Sequence, residues 1–329
     1  MPPLQYRMRE MRISGVTIAR NVVRLGYPFE ASIRSLLPLV DELVIGVGDS
    51  DDGTWEAIAA IGDPRLKPFR STWRTPTRGG QVLSEQTNLA LERCTGDWAV
   101  YLQMDEVLHE DDLDAVRDAI TRHHHRRTEG LVFRYLHFVR DYTRVADDWL
   151  QFYPRAVRAV KLRAGVESAG DACGFVCRQA GRTRGLIKGD AGARIFHYGW
   201  CHPPAMQTRR AENLGHGIFG ESHAIEPVVA AVNACVTRRF AGTHPATMAS
   251  KAASEPRIVE TADQSHAPAW LRAAARVAGS PLARRAEARS LAPLLLTNAW
   301  WRTVAWWRAL APAISNSAPR RTPPLRPDV

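Results

Sequence analysis

The sequence is poor in the features that mark secreted, membrane-spanning and disulfide-stapled proteins. It holds only five cysteines in 329 residues, an odd number spread widely along the chain, so we expect no disulfide framework and a reducing compartment. Cys173 and Cys177 have the wrong spacing for a zinc knuckle. The first residues contain no apolar signal segment, and no stretch of 18 residues lacks both charge and proline. Neither a secretory signal nor a spanning helix is predicted, and we expect a cytoplasmic protein.

The remaining composition is that of an ordinary globular protein, with 45% apolar and 24% charged residues. The length suits one large domain or a domain with an appendage. The formal net charge is +10, but it is unevenly distributed. From residue 271 onward ten arginines accompany two acidic residues, so this part carries +8 and the first 270 residues only +2. The sequence therefore predicts a nearly neutral globule followed by a cationic tail.

Apolar runs of two periodicities alternate along the first 105 residues. Short β-branched runs indicate buried strands, and runs with helical spacing separate them. Such an order predicts a parallel sheet with right-handed crossovers, which binds ligands beyond the carboxyl ends of its strands. The predicted strands are 13–19, 43–47, 66–69 and 98–104, and the predicted helices are 28–40, 55–61 and 84–94.

The later sequence predicts a helix at 110–124, a strand at 130–139 and a largely irregular segment at 145–200 with short β-like runs. A further helix at 205–219 follows a double proline, a helix-start signal. We expect one domain over residues 1–250, a linker and helical extension rich in Trp and Arg over 251–311, and a disordered tail over 312–329.

Acidic residues follow two of the predicted strands. Asp49 and Asp52 follow the second strand, and Asp105 and Glu106 follow the fourth. Carboxylates at one sheet edge repel each other, and a divalent cation such as Mg²⁺ or Mn²⁺ would relieve that repulsion. The alternative for Glu106 and for residues 110–112 is a favourable place in the first turn of the next helix.

Three segments resemble a bacterial family 2 glycosyltransferase of the GT-A fold: SGVTIARN, DELVIGVGDSDDGTWEAI and EQTNLALERCTGDWAVYLQMDEVLHEDDL. The match covers about residues 12–120 and extends more weakly through SAGDACGF and IFHYGW to near 248. The resemblance implies a mostly parallel sheet flanked by helices. It also implies an inverting transfer of a sugar from a nucleoside-diphosphate sugar to a hydroxyl of a glycan or lipid-linked acceptor, in cell-surface polysaccharide synthesis.

The resemblance also implies roles for particular residues. His197 would join the metal site, although a histidine in an aromatic run is equally a core residue, and Asp52 is also a helix-cap candidate. Arg78 is equally a solvated loop charge. Asp171 would be the base that takes the proton from the acceptor hydroxyl, and Glu167 is the reserve candidate. The alternative for Asp171 is a structural role in a turn, since Gly-Asp loops are common without any function. The full sets are Asn21, Asp49, Asp52, Arg78, Gln86 and Asn88 for the nucleotide, and Asp105, Glu106 and His197 for Mg²⁺ or Mn²⁺.

The segment 291–310 carries four tryptophans with Arg302 and Arg308 among them. It resembles an interfacial helix lying on anionic lipid, at the inner face of the membrane, and its alternative is a helix packed on the domain or on a second subunit. Two rival functions stay open: a sugar-nucleotidyltransferase, and a degenerate membrane-associated scaffold. Nucleic-acid binding is not favoured, because no recognised module accompanies the arginines.

Overall fold

The computed structural model describes residues 11–74, 80–147, 153–162, 165–201, 204–213, 218, 235 and 237–254. All of them belong to the first of two compact units, which runs from Met1 to Ser280. Most of the predicted domain at 1–250 is therefore described. Apart from residues 251–254, the predicted extension at 251–311 and the tail at 312–329 lie outside the described residues.

Strands and helices alternate through the first third of the chain, as the apolar runs predict. The first helix ends at Leu36, just before a turn that contains Pro38, since proline cannot continue a helix. A short 3-10 turn at 110–112 precedes the fourth helix. The elements are β1 (Ile13–Ala19), α1 (Phe29–Leu36), β2 (Glu42–Val47), α2 (Thr54–Ala59), β3 (Leu66–Arg70), α3 (Gln81–Leu91), β4 (Trp98–Tyr101), β5 (Glu106–Leu108) and α4 (Leu113–His124).

The second half of the domain is richer in strands than its sequence predicts. The segment expected to be largely irregular, 145–200, folds mostly into strands, because glycines with positive φ such as Gly165, Gly170 and Gly181 lie in the turns between them. The elements are β6 (Gly130–Val139), β7 (Arg144–Ala146), β8 (Arg155–Lys161), β9 (Val166–Ala169), β10 (Gly174–Gln179), β11 (Arg182–Gly185), β12 (Lys188–Trp200), α5 (Pro204–Glu212), β13 (Thr237–Arg239) and α6 (Ala246–Ser254).

The central sheet has its parallel strands at one side. Strands β3, β2, β1 and β4 lie side by side and all run in the same direction. Strand β8 then inserts antiparallel between β4 and β6, and β12 runs parallel to β6. The predicted fold class, a mostly parallel α/β sheet with flanking helices, is confirmed.

Two hydrophobic cores cover the two faces of this sheet. Neighbouring strand residues alternate between them: Ile45 and Val100 face α1, α2 and α4, whereas Val44 and Ala99 face α3 and the β9–β10 hairpin. This is why the strands are continuously apolar rather than alternating. In the described part of the chain, no helix is long and apolar enough to cross a bilayer.

Candidate active site

The carboxyl ends of β2 and β4 open onto one edge of the sheet, with β1 between them. Asp49 follows β2 and Asp105 follows β4. Beyond β4 the chain turns into β5, which pairs antiparallel with β12 and places His197 opposite Glu106. The backbone N–H of Tyr198 donates to the carbonyl of Asp105 at 2.8 Å. The register of this pair therefore fixes Asp105 beside His197.

Asp105 and His197 present donor atoms to the same small space. Oδ2 of Asp105 lies 3.5 Å from Nε2 of His197, and the two side chains are 15% and 9% exposed. A Cβ on Gly199 would lie 2.7 Å from each of these two atoms, a separation too short for any side chain. Glycine at this position therefore keeps the space beside both donors clear.

A hydrogen-bonded chain supports His197 from behind. Its Nδ1 lies 3.1 Å from Nδ1 of His137, and Nε2 of His137 lies 2.8 Å from the carbonyl oxygen of Tyr153. His137 is buried. Burial first, and then the nearby charge of His197, lower the pKa of His137 well below its usual value. His137 is therefore a neutral imidazole.

A buried arginine approaches the same site from α5. Arg210 is 3% exposed, and its guanidinium donates to the carbonyls of Leu25, Gly26 and Gly199 at 2.7–2.9 Å. It also lies 4.2 Å from the ring centroid of Tyr27. Among the described residues, no carboxylate lies within ion-pair distance of it. A buried cation held only by neutral oxygens favours an anion nearby.

Charge around Asp105 keeps its carboxyl ionised. Burial acts to raise its pKa, but His197 and then Arg210 outweigh that effect, and the pKa of Asp105 lies below its usual value. The pKa of Tyr27, by contrast, is raised to about 12, chiefly by burial. Asp105 supplies a carboxylate oxygen, the donor type that Mn²⁺ and Mg²⁺ take alongside phosphate and water oxygens, and His197 adds a nitrogen donor beside it. In the described part of the chain no larger cluster of metal-ligating side chains exists.

Glu106 does not belong to this donor set, which corrects its assignment as a metal ligand. Its side chain and that of Arg158 are fully buried, and the two form a bidentate pair at 2.8 and 2.9 Å. The hydroxyl of Tyr135 donates to Glu106 at 2.7 Å, and the N–H of Gln103 donates at 3.0 Å. Both carboxylate oxygens are thus already satisfied by protein groups, and Glu106 is a structural residue.

Asp171 lies in the turn between β9 and β10, next to this buried pair. The N–H of Cys173 donates to Asp171 at 3.2 Å, and the carbonyl of Cys173 lies 3.5 Å from Nη1 of Arg158. Burial raises the pKa of Asp171 above its usual value, against the opposing effect of the Cys173 N–H. Burial raises the pKa of Tyr153 well above its usual value, and the centroid of its ring lies 4.9 Å from that of His137.

The reserve base, Glu167, is committed elsewhere. Its carboxylate forms an ion pair at 2.8 Å with Arg178 across the β9–β10 hairpin, where the two side chains are 39% and 55% exposed. This pair tethers the two strands at the protein surface. Glu167 is therefore not kept as a base candidate.

The two acidic residues Asp49 and Asp52, in the loop after β2, differ in their hydrogen bonding and exposure. Both oxygens of Asp52 accept protein hydrogen bonds, from the N–H of Arg24 at 2.8 Å and from the N–H and hydroxyl of Thr54 at 3.1 and 2.6 Å. Burial acts to raise the pKa of Asp52, but these bonds lower it overall. These bonds tie Asp52 into the loop, so its carboxylate has less capacity left for a nucleotide. Asp49 stays exposed, and one of its oxygens accepts from the N–H of Trp73 at 3.2 Å.

Three buried polar atoms near this loop have no hydrogen-bond partner among the described residues: Oδ1 of Asn21, Nε1 of Trp73 and Oε1 of Gln86. The Gln86 amide is held in place because its Nε2 donates to the carbonyl of Thr72 at 3.1 Å. Trp73 packs so closely on Gly48 that a Cβ there would lie 2.3 Å from Nε1. Buried polar groups are normally satisfied, so orphaned donors and acceptors mark a place for a polar ligand.

Two other residues predicted to bind the nucleotide offer it no free side-chain group in the part of the chain that the structure describes. The side-chain amide of Asn88 forms two hydrogen bonds with the backbone of Ser168: its Oδ1 accepts from the N–H at 2.7 Å, and its Nδ2 donates to the carbonyl at 3.1 Å. It ties α3 to β9, so its assignment to the nucleotide is corrected. Arg78 lies outside the described residues.

Sequence reasoning missed His137, Tyr153, Arg210 and Trp73. A histidine in the run LHFV gives no sign of its partner, and Arg210 is one of two adjacent arginines in α5. Trp73 follows β3 at the same edge as Asp49. Its position after a predicted strand was the one available signal, since ligands in this sheet class lie beyond strand ends.

No protein-family model matches the chain, and no curated protein matches it. Among solved structures, S. aureus TarS 1-349 in complex with UDP-GlcNAc is similar at 22% identity and a TM-score of 0.29, over 39% of this chain and 35% of that one. Glucosyl-3-phosphoglycerate synthase from Mycobacterium tuberculosis, with Mn²⁺ and UDP, is similar at 16% identity and a TM-score of 0.34, over 50% and 61%. A third is 4-diphosphocytidyl-2C-methyl-D-erythritol synthase from Anaerococcus prevotii, at 13% identity, a TM-score of 0.30, and 46% and 71% coverage. At TM-scores this low, the likeness carries no information about the activity of this chain.

Proposed function

We propose that the chain is a glycosyltransferase that moves a sugar from a nucleoside-diphosphate sugar to an acceptor hydroxyl, with inversion at the anomeric carbon. One observation carries the proposal. Asp105 and His197 direct an oxygen and a nitrogen to one point over Gly199, at the carboxyl edge of the parallel strands, with the buried cation Arg210 beside them. Anionic diphosphate with a divalent cation fits such a combination.

The loop beyond β2 suits the nucleoside. Asp49 is exposed at the strand end, and the orphaned atoms of Asn21, Trp73 and Gln86 offer two acceptors and one donor. A nucleobase carries both donors and acceptors in its plane. In this arrangement the nucleoside lies toward β2 and β3, and the diphosphate lies toward Asp105 and Arg210.

Asp105 and His197 would hold Mg²⁺ or Mn²⁺, whose chemistry is to offset charge on the departing diphosphate. Asp171 accepts the proton of the acceptor hydroxyl while that oxygen forms the new bond to the anomeric carbon. The bond between that carbon and the diphosphate oxygen breaks, and its electron pair leaves with the nucleoside diphosphate. Because burial raises the pKa of Asp171, its carboxylate is a stronger base than an exposed aspartate.

The two rival functions receive less support from the residues. A nucleotidyltransferase would cradle a triphosphate on a glycine-rich loop after the first strand, but β1 leads into Arg20 and Asn21. A degenerate scaffold would not need to keep Asp105 and His197 unobstructed. The membrane role of 291–310, the cytoplasmic location and the role in surface polysaccharide synthesis remain proposals that concern residues or partners outside this site.

The test is a panel of nucleotide sugars, with and without Mn²⁺, scored first by thermal stabilisation and then by release of nucleoside diphosphate. Ligand that binds only the folded state raises the unfolding midpoint. We expect one donor to stabilise the protein in a Mn²⁺-dependent way. Asp105→Asn and Asp171→Asn should abolish transfer without unfolding the chain, whereas Asp118→Asn, an exposed carboxylate on α4, should leave transfer unchanged. Full activity in both site variants would discard these roles.

A further inference from the structure

The carbonyl of Tyr153 determines which nitrogen of His137 carries a hydrogen. This backbone oxygen can only accept a hydrogen bond, and Nε2 of His137 lies 2.8 Å from it. Nε2 of His137 must therefore be the protonated nitrogen, because a lone pair there would face the lone pairs of the carbonyl. A second proton on this ring would create a cation in a site that is only 5% exposed, which is costly.

The proton on His137 in turn fixes the proton on His197. With Nε2 protonated, Nδ1 of His137 is an acceptor, and it lies 3.1 Å from Nδ1 of His197. The hydrogen between the two rings must then belong to Nδ1 of His197. The opposite arrangement would require His137 to donate from Nδ1 and to face the Tyr153 carbonyl with a lone pair. For the two contacts Nδ1–Nδ1 and Nε2–carbonyl, only this direction gives each hydrogen bond one donor and one acceptor.

Aromatic packing holds the His137 ring in this orientation. The ring stacks on Tyr135 at a centroid distance of 5.0 Å and meets Tyr153 edge-on at 4.9 Å. His137 is 5% exposed, so a ring flip would have to displace two packed neighbours. The orientation is built into β6 and the residues before β8.

We propose that His137 is a positioning residue that holds a hydrogen on Nδ1 of His197, so that Nε2 is the nitrogen that faces the space shared with Asp105. Histidines that bind metals commonly donate their other N–H to a supporting group, which sets the tautomer and the ring angle. Here the supporting group is a second imidazole, itself anchored on a backbone carbonyl. The metal part of this inference rests on the function proposed above, and the tautomer part does not.

The tautomer can be measured on the wild-type protein without metal or substrate. Nitrogen NMR of ¹⁵N-histidine-labelled protein, in mildly alkaline buffer, distinguishes Nδ1–H from Nε2–H rings, and His197→Gln identifies the His197 signal by its loss. We expect Nδ1–H at His197 and Nε2–H at His137. An Nε2–H form of His197 in the wild type overturns the inference.

Two variants then test what the tautomer does. His137→Phe keeps an aromatic ring but removes the acceptor, and we expect it to shift His197 toward Nε2–H and to weaken Mn²⁺ binding by roughly 10–100-fold, as measured by electron paramagnetic resonance. His137→Gln, whose amide can accept and donate, should restore Mn²⁺ affinity to within a few-fold of the wild type. Tyr135→Phe keeps the ring that stacks on His137 and removes only the hydroxyl that donates to Glu106, and it should leave Mn²⁺ affinity within a few-fold of the wild type.

Unchanged Mn²⁺ affinity in a folded His137→Phe protein would overturn the positioning role. If that variant does not fold, the wild-type NMR measurement and His137→Gln still decide the question. A wild type that shows the expected tautomer and binds Mn²⁺, yet transfers no sugar, supports this inference and counts against the proposed function. An active enzyme whose His197 carries its hydrogen on Nε2 supports the proposed function and overturns this inference.

Discussion

Replacing Arg158 by methionine should destabilise the protein strongly, because it strands a buried carboxylate. Arg158 and Glu106 are both 0% exposed, and two bonds of 2.8 and 2.9 Å join them. In Arg158→Met, Glu106 keeps its bonds from Tyr135 and Gln103 but loses its only cation among the described contacts. Breaking one half of a buried ion pair costs about 3–5 kcal/mol.

That loss corresponds to a fall of roughly 6–20 °C in the unfolding midpoint, at about 2–4 °C per kcal/mol for a domain of this size. Urea unfolding followed by circular dichroism measures the free energy directly.

The double variant Glu106→Gln with Arg158→Met separates the contribution of the ion pair to stability from the contribution of side-chain packing. It removes both charges, so we expect it to be more stable than Arg158→Met alone by roughly 1–3 kcal/mol. Its Mn²⁺ affinity should stay within a few-fold of the wild type, since Glu106 is not a ligand in this account. A loss below about 1 kcal/mol in Arg158→Met, with no recovery in the double variant, would refute the reasoning.

Three further predictions concern the site. Gly199→Ala should cost about 1–3 kcal/mol from overpacking and weaken Mn²⁺ binding at least tenfold, since its Cβ would lie 2.7 Å from both proposed ligand atoms; calorimetric titration with Mn²⁺ checks this, and wild-type affinity would contradict it. Asp52→Ala should lose about 1–3 kcal/mol of stability, because the donors of Arg24 and Thr54 lose their acceptor, and its donor affinity should be unchanged. Asp49→Ala should keep its stability and lose donor affinity; equal effects of the two variants on donor affinity would show that the two acids are not separated in role. Because the raised pKa of Asp171 means that the base is protonated at a higher pH than an ordinary aspartate, kcat/KM should fall as pH drops through that raised value; an acid limb at the usual aspartate pKa, which is about 3.9, would exclude Asp171 as the base.

The alternating strands and helices of the first third are predictable because each element is specified locally. A run such as LVIGV is apolar on both faces and can be satisfied only inside a covered sheet. The second half resisted prediction because its pairing is non-local. Strand β8 inserts antiparallel between β4 and β6, and nothing in RAVRAVK indicates which strands will flank it.

The same distinction applies to the site. A shared edge for Asp49 and Asp105 follows from strand order, and the resemblance added His197, 92 residues beyond Asp105. The role of Glu106 depended on Arg158, which reaches it from β8. Likewise, Asp49 and Asp52 stand in one loop, and only the hydrogen bonds of Arg24 and Thr54 separate the structural acid from the exposed one. Motif spacing supplies candidates, and spatial partners decide among them.

The central claim is that Asp105 and His197 hold one divalent cation beside the diphosphate. Anomalous X-ray diffraction from crystals grown with Mn²⁺ and a nucleoside diphosphate tests it directly. The account predicts a single Mn²⁺ peak within coordination distance of Oδ2 of Asp105 and Nε2 of His197, with phosphate oxygens completing the shell. A peak bound to Glu106 instead, or nucleotide bound with no Mn²⁺ between these two side chains, would contradict it.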